Sequence, residues 1–444
     1  MPKSRIFPLL LLILAGCNLP VAPSATPPPA RTSTPTVPQT LTPTATTYSQ
    51  YPYIEVPLQA VLVSEDDGSY PVRIGYAQIK VWVDRANEIY APAGIRFLFS
   101  LEDMVEVQST LLNNMIGNQD PAWEQEVAAG NELAAAYPGK LTLIFRRGNG
   151  PNWLGGAFSS INYNYVVMPQ FSQTWCNNQD DHGMLAHEIG HYLGLGHIFN
   201  PIFHSEQEAA AYLQAHNNDP EIFDADGLSD TPPDPYIDVA DITCGPTDEV
   251  TLNGILFPLP RDNIMSYYNG RTGLSVQQME LARWYLQKRL ENGMAMPSNV
   301  NAPNALEAQD LGIWSAGCSS GYQDMTGFGD AHRWYNDDQL FVSSGANCSL
   351  TLSVPVTDAG RYRLEVYLTS APDFGIVQAS LDQVPVGTPI DLYTPSVMPT
   401  GPITLGTFDL SQANHALTFK VIGRNPLSPY YSMGLDCISL IPQP

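Results

Sequence analysis

The 444-residue chain predicts an α+β domain, a twisted mixed sheet with helices packed on it, followed by an all-β sandwich. Three observations carry this expectation. Between about residues 60 and 168, short runs of strand-forming residues alternate with stretches of helical period, the pattern of a layered sheet and helices. A histidine-bearing segment with helical spacing follows at residues 179–193. From residue 305 onward, short apolar runs recur between turns, the pattern of a sandwich.

The first 50 residues read as targeting and spacing segments. Lys3 and Arg5 precede a short apolar core at residues 7–14, too short to span a bilayer. Leu14-Ala15-Gly16-Cys17 resembles the lipobox of bacterial lipoproteins. That resemblance implies that residues 1–17 are signal peptide and lipobox, that cleavage leaves Cys17 first, and that Cys17 carries a lipid. It implies an exported protein, anchored to a membrane and facing the cell exterior or periplasm. Residues 18–50 are rich in Pro and Thr and nearly uncharged, which predicts an extended, solvated spacer.

Residues 51–295 read as one globular domain. Residues 60–63 predict a strand. Ile79, Val83, Ala86, Ile89 and Tyr90 recur at helical spacing, and Pro92-Ala93-Gly94 ends that helix. Strands are expected at 95–100, 141–145 and 165–168, and a helix at 120–137 closed by Pro138-Gly139. Helices at 206–216 and 275–291 complete the domain, with an Asp- and Pro-rich loop between them. Residues 294–304 read as a linker, and 302–444 as an accessory sandwich with strands near 350–354, 362–368, 377–381, 416–421 and 435–440.

There are 44 acidic against 20 basic residues, so the surface repels polyanions and nucleic acid is not an expected partner. Export permits disulfides. Beyond Cys17 five cysteines remain, an odd number that leaves at least one unpaired within the chain. Cys176 and Cys244 flank the histidine segment within one domain and form the expected pair. Cys318, Cys348 and Cys437 are left unassigned.

The chemistry is concentrated in His187-Glu188-Ile189-Gly190-His191-Tyr192-Leu193-Gly194-Leu195-Gly196-His197. Histidines at i and i+4 share one face of a helix, so His187 and His191 can grip one metal ion. Gly194 permits the sharp turn that returns His197 as a third ligand. Three neutral imidazoles suit zinc and leave one position open to water, whose proton Glu188 can accept. The expected activity is hydrolysis of protein or peptide substrates.

The extended motif resembles the metzincin clan of metallopeptidases, and the region from about residue 51 to 293 is most similar to its pappalysin (cytophagalysin-like) family. Asn263-Ile264-Met265-Ser266-Tyr267 resembles the family's Met-turn, which implies that Met265 lies below the metal and that Tyr267 helps stabilise the oxyanion. Asp226-Gly227-Leu228-Ser229-Asp230-Thr231-Pro232 resembles an acidic loop that holds structural calcium, implying calcium at or near Asp226, Asp230 and Thr231. By position, Gly155, Gly156 and Ala157 fall in the strand that pairs with extended substrate. The cysteines after the motif are fewer than in the family, which leaves the disulfide framework open.

The tail resembles jelly-roll modules of the carbohydrate-binding type, through Leu306-Glu307-Ala308-Gln309-Asp310-Leu311, Gly360-Arg361-Tyr362 and Gly434-Leu435-Asp436. Trp314, Trp334, Tyr335 and Tyr393 are its candidate sugar-stacking residues. A different class of function is a surface carbohydrate- or protein-binding lipoprotein with a vestigial zinc site. Glu188 separates the two, since a mere scaffold has no use for it.

Overall fold

The computed structural model describes residues 51–115, 122–147, 156–170, 174–176, 179–180, 182–328, 333–343 and 345–444. Cys17, the spacer 18–50 and Gly155 lie outside the described residues. Among those described, no helix is long and apolar enough to cross a membrane.

The first domain is built around the strand Ile54–Ser64. Along one side it pairs in parallel with Ile95–Leu98 and then Met104–Gln108; along the other it pairs in parallel with Leu141–Arg146, which pairs with Tyr165–Pro169. Strand alternation sends Val56, Leu58 and Ala60 to one face and Val61 and Val63 to the other, and both faces are covered. The helix Tyr76–Tyr90 buries Ile79, Trp82, Val83, Ala86, Ile89 and Tyr90 on the first face, which it shares with the motif helix Met184–Tyr192. The helix Trp123–Ala135 packs Val127 and Ala134 on the second.

The expected mixed sheet is corrected in one respect: every regular strand of this sheet is parallel. Among the described residues, the antiparallel component is the bridge between Phe158 and Val167 at the outer edge. A turn at residues 160–163 reverses the chain within a few residues of that bridge, so one pair forms and no ladder.

Cys176 is joined to Cys244, and Cys318 to Cys348, with Cα atoms 5.3 and 5.7 Å apart; Cys437 is buried and free. The closing helix Val276–Glu291 begins with a capping box, in which the Ser275 hydroxyl accepts from the Gln278 amide and Gln278 reaches back. It buries Ala282, Tyr285, Leu286 and Arg289.

The C-terminal part is a sandwich of two antiparallel sheets. One has the order Ser319–Asp324, Asp338–Ser343, Met433–Pro442, Gly360–Ser370, Met398–Leu410, with Ala305–Glu307 also on Met433–Pro442. The other runs Gly312–Ala316, Ser349–Pro355, Asn414–Arg424, Gly375–Leu381, Val384–Asp391. In Gly375–Leu381 every second residue is buried, as a strand with one covered face requires.

The segment read as a linker is not a solvated tether. Met294, Met296, Asn299 and Ala302 are buried. The Asn299 side chain donates to Leu368 O and to Asp436 Oδ2 and accepts from Gly401 N, while its amide donates to Arg333 O. An amide with this many partners at 0% exposure makes residues 294–304 a fixed joint.

Candidate metal centre

The motif helix is short and almost wholly buried, with His191 its half-buried exception. Tyr90 donates from its hydroxyl to the Ala186 carbonyl, fixing the helix to its neighbour at 2.9 Å. The chain leaves the helix through Gly194 at φ +81, a conformation that favours glycine. The Gly194 and Leu195 amides donate back to His191 O and Gly190 O, so the turn folds under the helix and returns His197.

The three Nε2 atoms converge: His187 to His197 is 3.2 Å, and His191 lies 3.1 Å from each. His187 Nδ1 faces Ile264 O at 2.7 Å and His191 Nδ1 faces Leu195 O at 2.8 Å. A carbonyl only accepts, so both Nδ1 atoms carry the proton and both Nε2 atoms present lone pairs. Lone pairs brought together this closely repel unless a cation sits among them. Zinc bonded tetrahedrally to nitrogens at about 2.1 Å would set them about 3.4 Å apart, so the triad fits zinc. Among the described residues, this triad is the one group of three or more His, Cys, Asp or Glu placed to hold a metal.

Burial is the first cause holding all three imidazoles neutral, with neighbouring positive charge adding to it for His187 and His197. His187 lies well below its usual range, His191 is lowered, and His197 is lowered to about 3. The Arg271 guanidinium contributes, sitting 3.4 Å from His187 Nδ1 while donating to Ser266 O.

Glu188 is 7% exposed, and its charge is felt by Tyr267 and Tyr90. Tyr267 packs its ring 4.8 Å from His197 and 5.4 Å from His187. Burial, and then Glu188, pushes its hydroxyl up to about 12, so it remains a donor. Beside His197 opens a cleft of about 350 Å³ walled by Gly196, Phe199, Asn200, Ile202 and Ala225.

Met265 is fully buried beneath the motif helix. The turn that carries it is tied by Asn263, whose side-chain oxygen accepts from Met265 N and whose NH2 donates to Gln278. Sequence reasoning missed the residue that makes room for Met265: a Cβ on Gly190 would lie 2.3 Å from the methionine sulfur. It also missed Asp234, a buried carboxylate that accepts from Tyr268 at 2.7 Å and leaves Oδ2 without a partner. Arg289 was missed as well: fully buried, it donates to Tyr192 O, Ile161 O and Tyr163 O, tying the closing helix to the motif helix. An isolated glycine within a helical run is the one sequence signal for these; the other two depend on distant partners.

The acidic loop expected to hold calcium is tied by hydrogen bonds. Asp226 Oδ1 accepts from Leu228 N and Thr231 Oγ1, and its Oδ2 from Gln278. Asp230 accepts from Ser275 Oγ and Gln277 N at the start of the closing helix. Both carboxylates serve as hydrogen-bond acceptors, Asp226 within the loop beside Thr231 and Asp230 at the start of the closing helix. Gly156 accepts from Arg146 at its carbonyl, Ala157 packs against the core, and the adjoining Phe158 forms the edge bridge. In the sandwich, Trp314 is 53% exposed, but Trp334 is 3% exposed and donates to Thr369, so it is a core residue and not a sugar platform. Tyr335 and Tyr393 are half-buried.

No protein-family model matches the chain, and no curated protein does. Among solved structures, it is similar to a Paenibacillus xanthan lyase, at 25% identity and TM-score 0.29 over 33% of this chain. It is similar to a Podospora anserina mannanase carrying a family 35 carbohydrate-binding module, at 13% identity and TM-score 0.21 over 32% of this chain. A third is the family 35 carbohydrate-binding module from Clostridium thermocellum, at 17% identity and TM-score 0.22 over 31% of this chain and 98% of that one. The chain spans 14% of the xanthan lyase and 28% of the mannanase. Likenesses at these TM-scores decide nothing about function.

Proposed function

We propose that this protein is an exported zinc-dependent endopeptidase of the metzincin type, nearest to the pappalysin pattern and held to a membrane through Cys17. The observation that carries the reading is the convergence of the His187, His191 and His197 Nε2 atoms within 3.2 Å of one another, beside Glu188 and Tyr267. A zinc ion bound there would supply Lewis acidity, polarising a substrate carbonyl and bringing the pKa of water beside it towards about 7.

The remaining work belongs to side chains. Glu188 accepts a proton from the attacking water and delivers it to the leaving amine. Tyr267, kept protonated by its raised pKa, donates to the oxyanion of the tetrahedral intermediate. Phe158 pairs both backbone groups with Val167, so its neighbours Ala157 and Ser159 aim theirs outward, where an extended peptide can add as a strand. The test is digestion of a peptide library read by mass spectrometry. Cleavage that stops with a chelator and returns with zinc supports the reading; cleavage indifferent to chelation, or none with zinc loaded, opposes it.

A second reading is a surface protein that binds carbohydrate through the sandwich, with a vestigial zinc site. Trp314 favours it, as a half-exposed indole on the strand Gly312–Ala316 offers a sugar a stacking face. Glycan binding that disappears in Trp314→Ala, from a protein that cleaves no peptide, would favour this second reading.

A further inference from the structure

The sandwich reaches the metal centre from behind. Tyr285 of the closing helix is 1% exposed, and its ring lies directly under Gly194; a Cβ there would fall 2.3 Å from two of its ring carbons. The Tyr285 hydroxyl is hydrogen-bonded to the Ser396 hydroxyl in the loop that enters the strand Met398–Leu410. That loop is itself held, because Thr394 Oγ1 donates to Ser396 O at 2.6 Å. Tyr285, Met296 and Met398 form one buried cluster, to which Ile161, Leu281 and Trp284 add partly buried faces.

A continuous packed path therefore runs from the sandwich loop through Tyr285 to Gly194, and the chain from Gly194 leads within three residues to His197. Glycine is required twice at this point, for its positive φ and for the absence of a side chain against the ring. A ring pressed this closely on a backbone turn transmits displacement, because packed interiors yield little. Asn299 locks the joint between the two parts, so the loop cannot drift from the closing helix without breaking buried hydrogen bonds.

We infer that Ser396 and Met398 of the C-terminal sandwich are positioning residues of the histidine site: they hold Tyr285 against the Gly194 turn and so fix where His197 stands. This rests on the zinc reading of that site. It also runs against the expectation that residues 302–444 are only an accessory sandwich.

The test uses the full chain, loaded with zinc and mixed with an excess of a colour-forming chelator, with the rate of zinc release as the readout. Ser396→Ala and Tyr285→Phe each remove the same hydrogen bond from opposite sides. Each is expected to release zinc about five-fold faster, and the double variant no faster than either single one. Met398→Ala should release zinc about tenfold faster or more, and Met398→Leu, which conserves volume, should restore the wild-type rate. Should Met398→Ala not fold, Ser396→Ala still decides the matter, since it removes one oxygen from a loop. Variants that melt at lower temperature yet release zinc at the wild-type rate would make these residues merely structural and overturn the inference. Wild-type protein that takes up no zinc would instead overturn the reading of the site on which it depends.

Discussion

At the residue scale, the geometry of the histidine site rests on the main-chain partners of two of its imidazoles. Two of the three histidines hand their Nδ1 proton to a main-chain carbonyl, which aims Nε2 at the centre. Replacing His191 by Ala should therefore reduce zinc from one per chain to none in metal analysis; stoichiometric zinc in that variant would remove the basis for the assignment. Asp234 makes a different kind of prediction. Burial lifts its pKa to about 7, against an ordinary 3.8, despite the Tyr268 hydrogen bond. A carboxyl raised on folding favours the fold while protonated. Its contribution is present below about pH 4 and is lost as pH rises through about 7. The loss is at most about 4 kcal/mol at about 1.4 kcal/mol per unit. Asp234→Asn, which keeps an acceptor for Tyr268, should gain stability over the wild type between pH 5 and pH 8 in urea titrations. A stability difference that is flat across that range would refute this account of Asp234.

At the scale of elements, the motif helix and the turn carrying Met265 are fitted to each other. Gly190 is the point of contact, because no other residue leaves space for the methionine sulfur. Gly190→Ala should cost about 1–3 kcal/mol by overpacking, although alanine is the better helix former. Equal or increased stability on urea unfolding would mean that Met265 moves aside freely. The sequence shows the three histidines plainly, since the i, i+4 spacing and the glycine turn are local properties. It shows the strands Leu141–Arg146 and Tyr165–Pro169 and the helices Tyr76–Tyr90 and Trp123–Ala135 for the same reason, since burial on one face or two imprints a period. The strand Met104–Gln108 and the hairpin Glu249–Leu252 with Ile255–Pro258 are not shown, and the sequence starts the motif helix at 179, where a short strand, Gln179–Asp180, stands. It does not show that Gly190 makes room for Met265 or that Tyr285 presses on Gly194, because those partners lie far along the chain. Nor does it show that Asp226 and Asp230 accept hydrogen bonds from Leu228, Thr231, Ser275, Gln277 and Gln278. An acidic loop looks the same in sequence whether it holds a cation or caps a helix.

At the scale of the whole molecule, the described residues from 51 onward belong to one compact unit. After the helix Val276–Glu291 the next regular element is the strand Ala305–Glu307. The sequence does not reveal that the connector is buried, because Met294, Met296 and Asn299 look unremarkable until Asp436, Leu368 and Gly401 surround the asparagine. The histidine-bearing and sandwich parts are thus distinct in architecture and continuous in packing. The central claim, that the histidine centre is a working zinc peptidase site, stands on Glu188 more than on any other side chain. Its most direct test is cleavage of the same peptide library by the wild type and by Glu188→Gln, each with zinc content measured on the sample used. The account predicts one zinc per chain in both, with peptide cleavage in the wild type and a rate lower by roughly 10²–10⁴-fold in the variant. Equal cleavage by the two zinc-loaded proteins, or no cleavage by either, would contradict it.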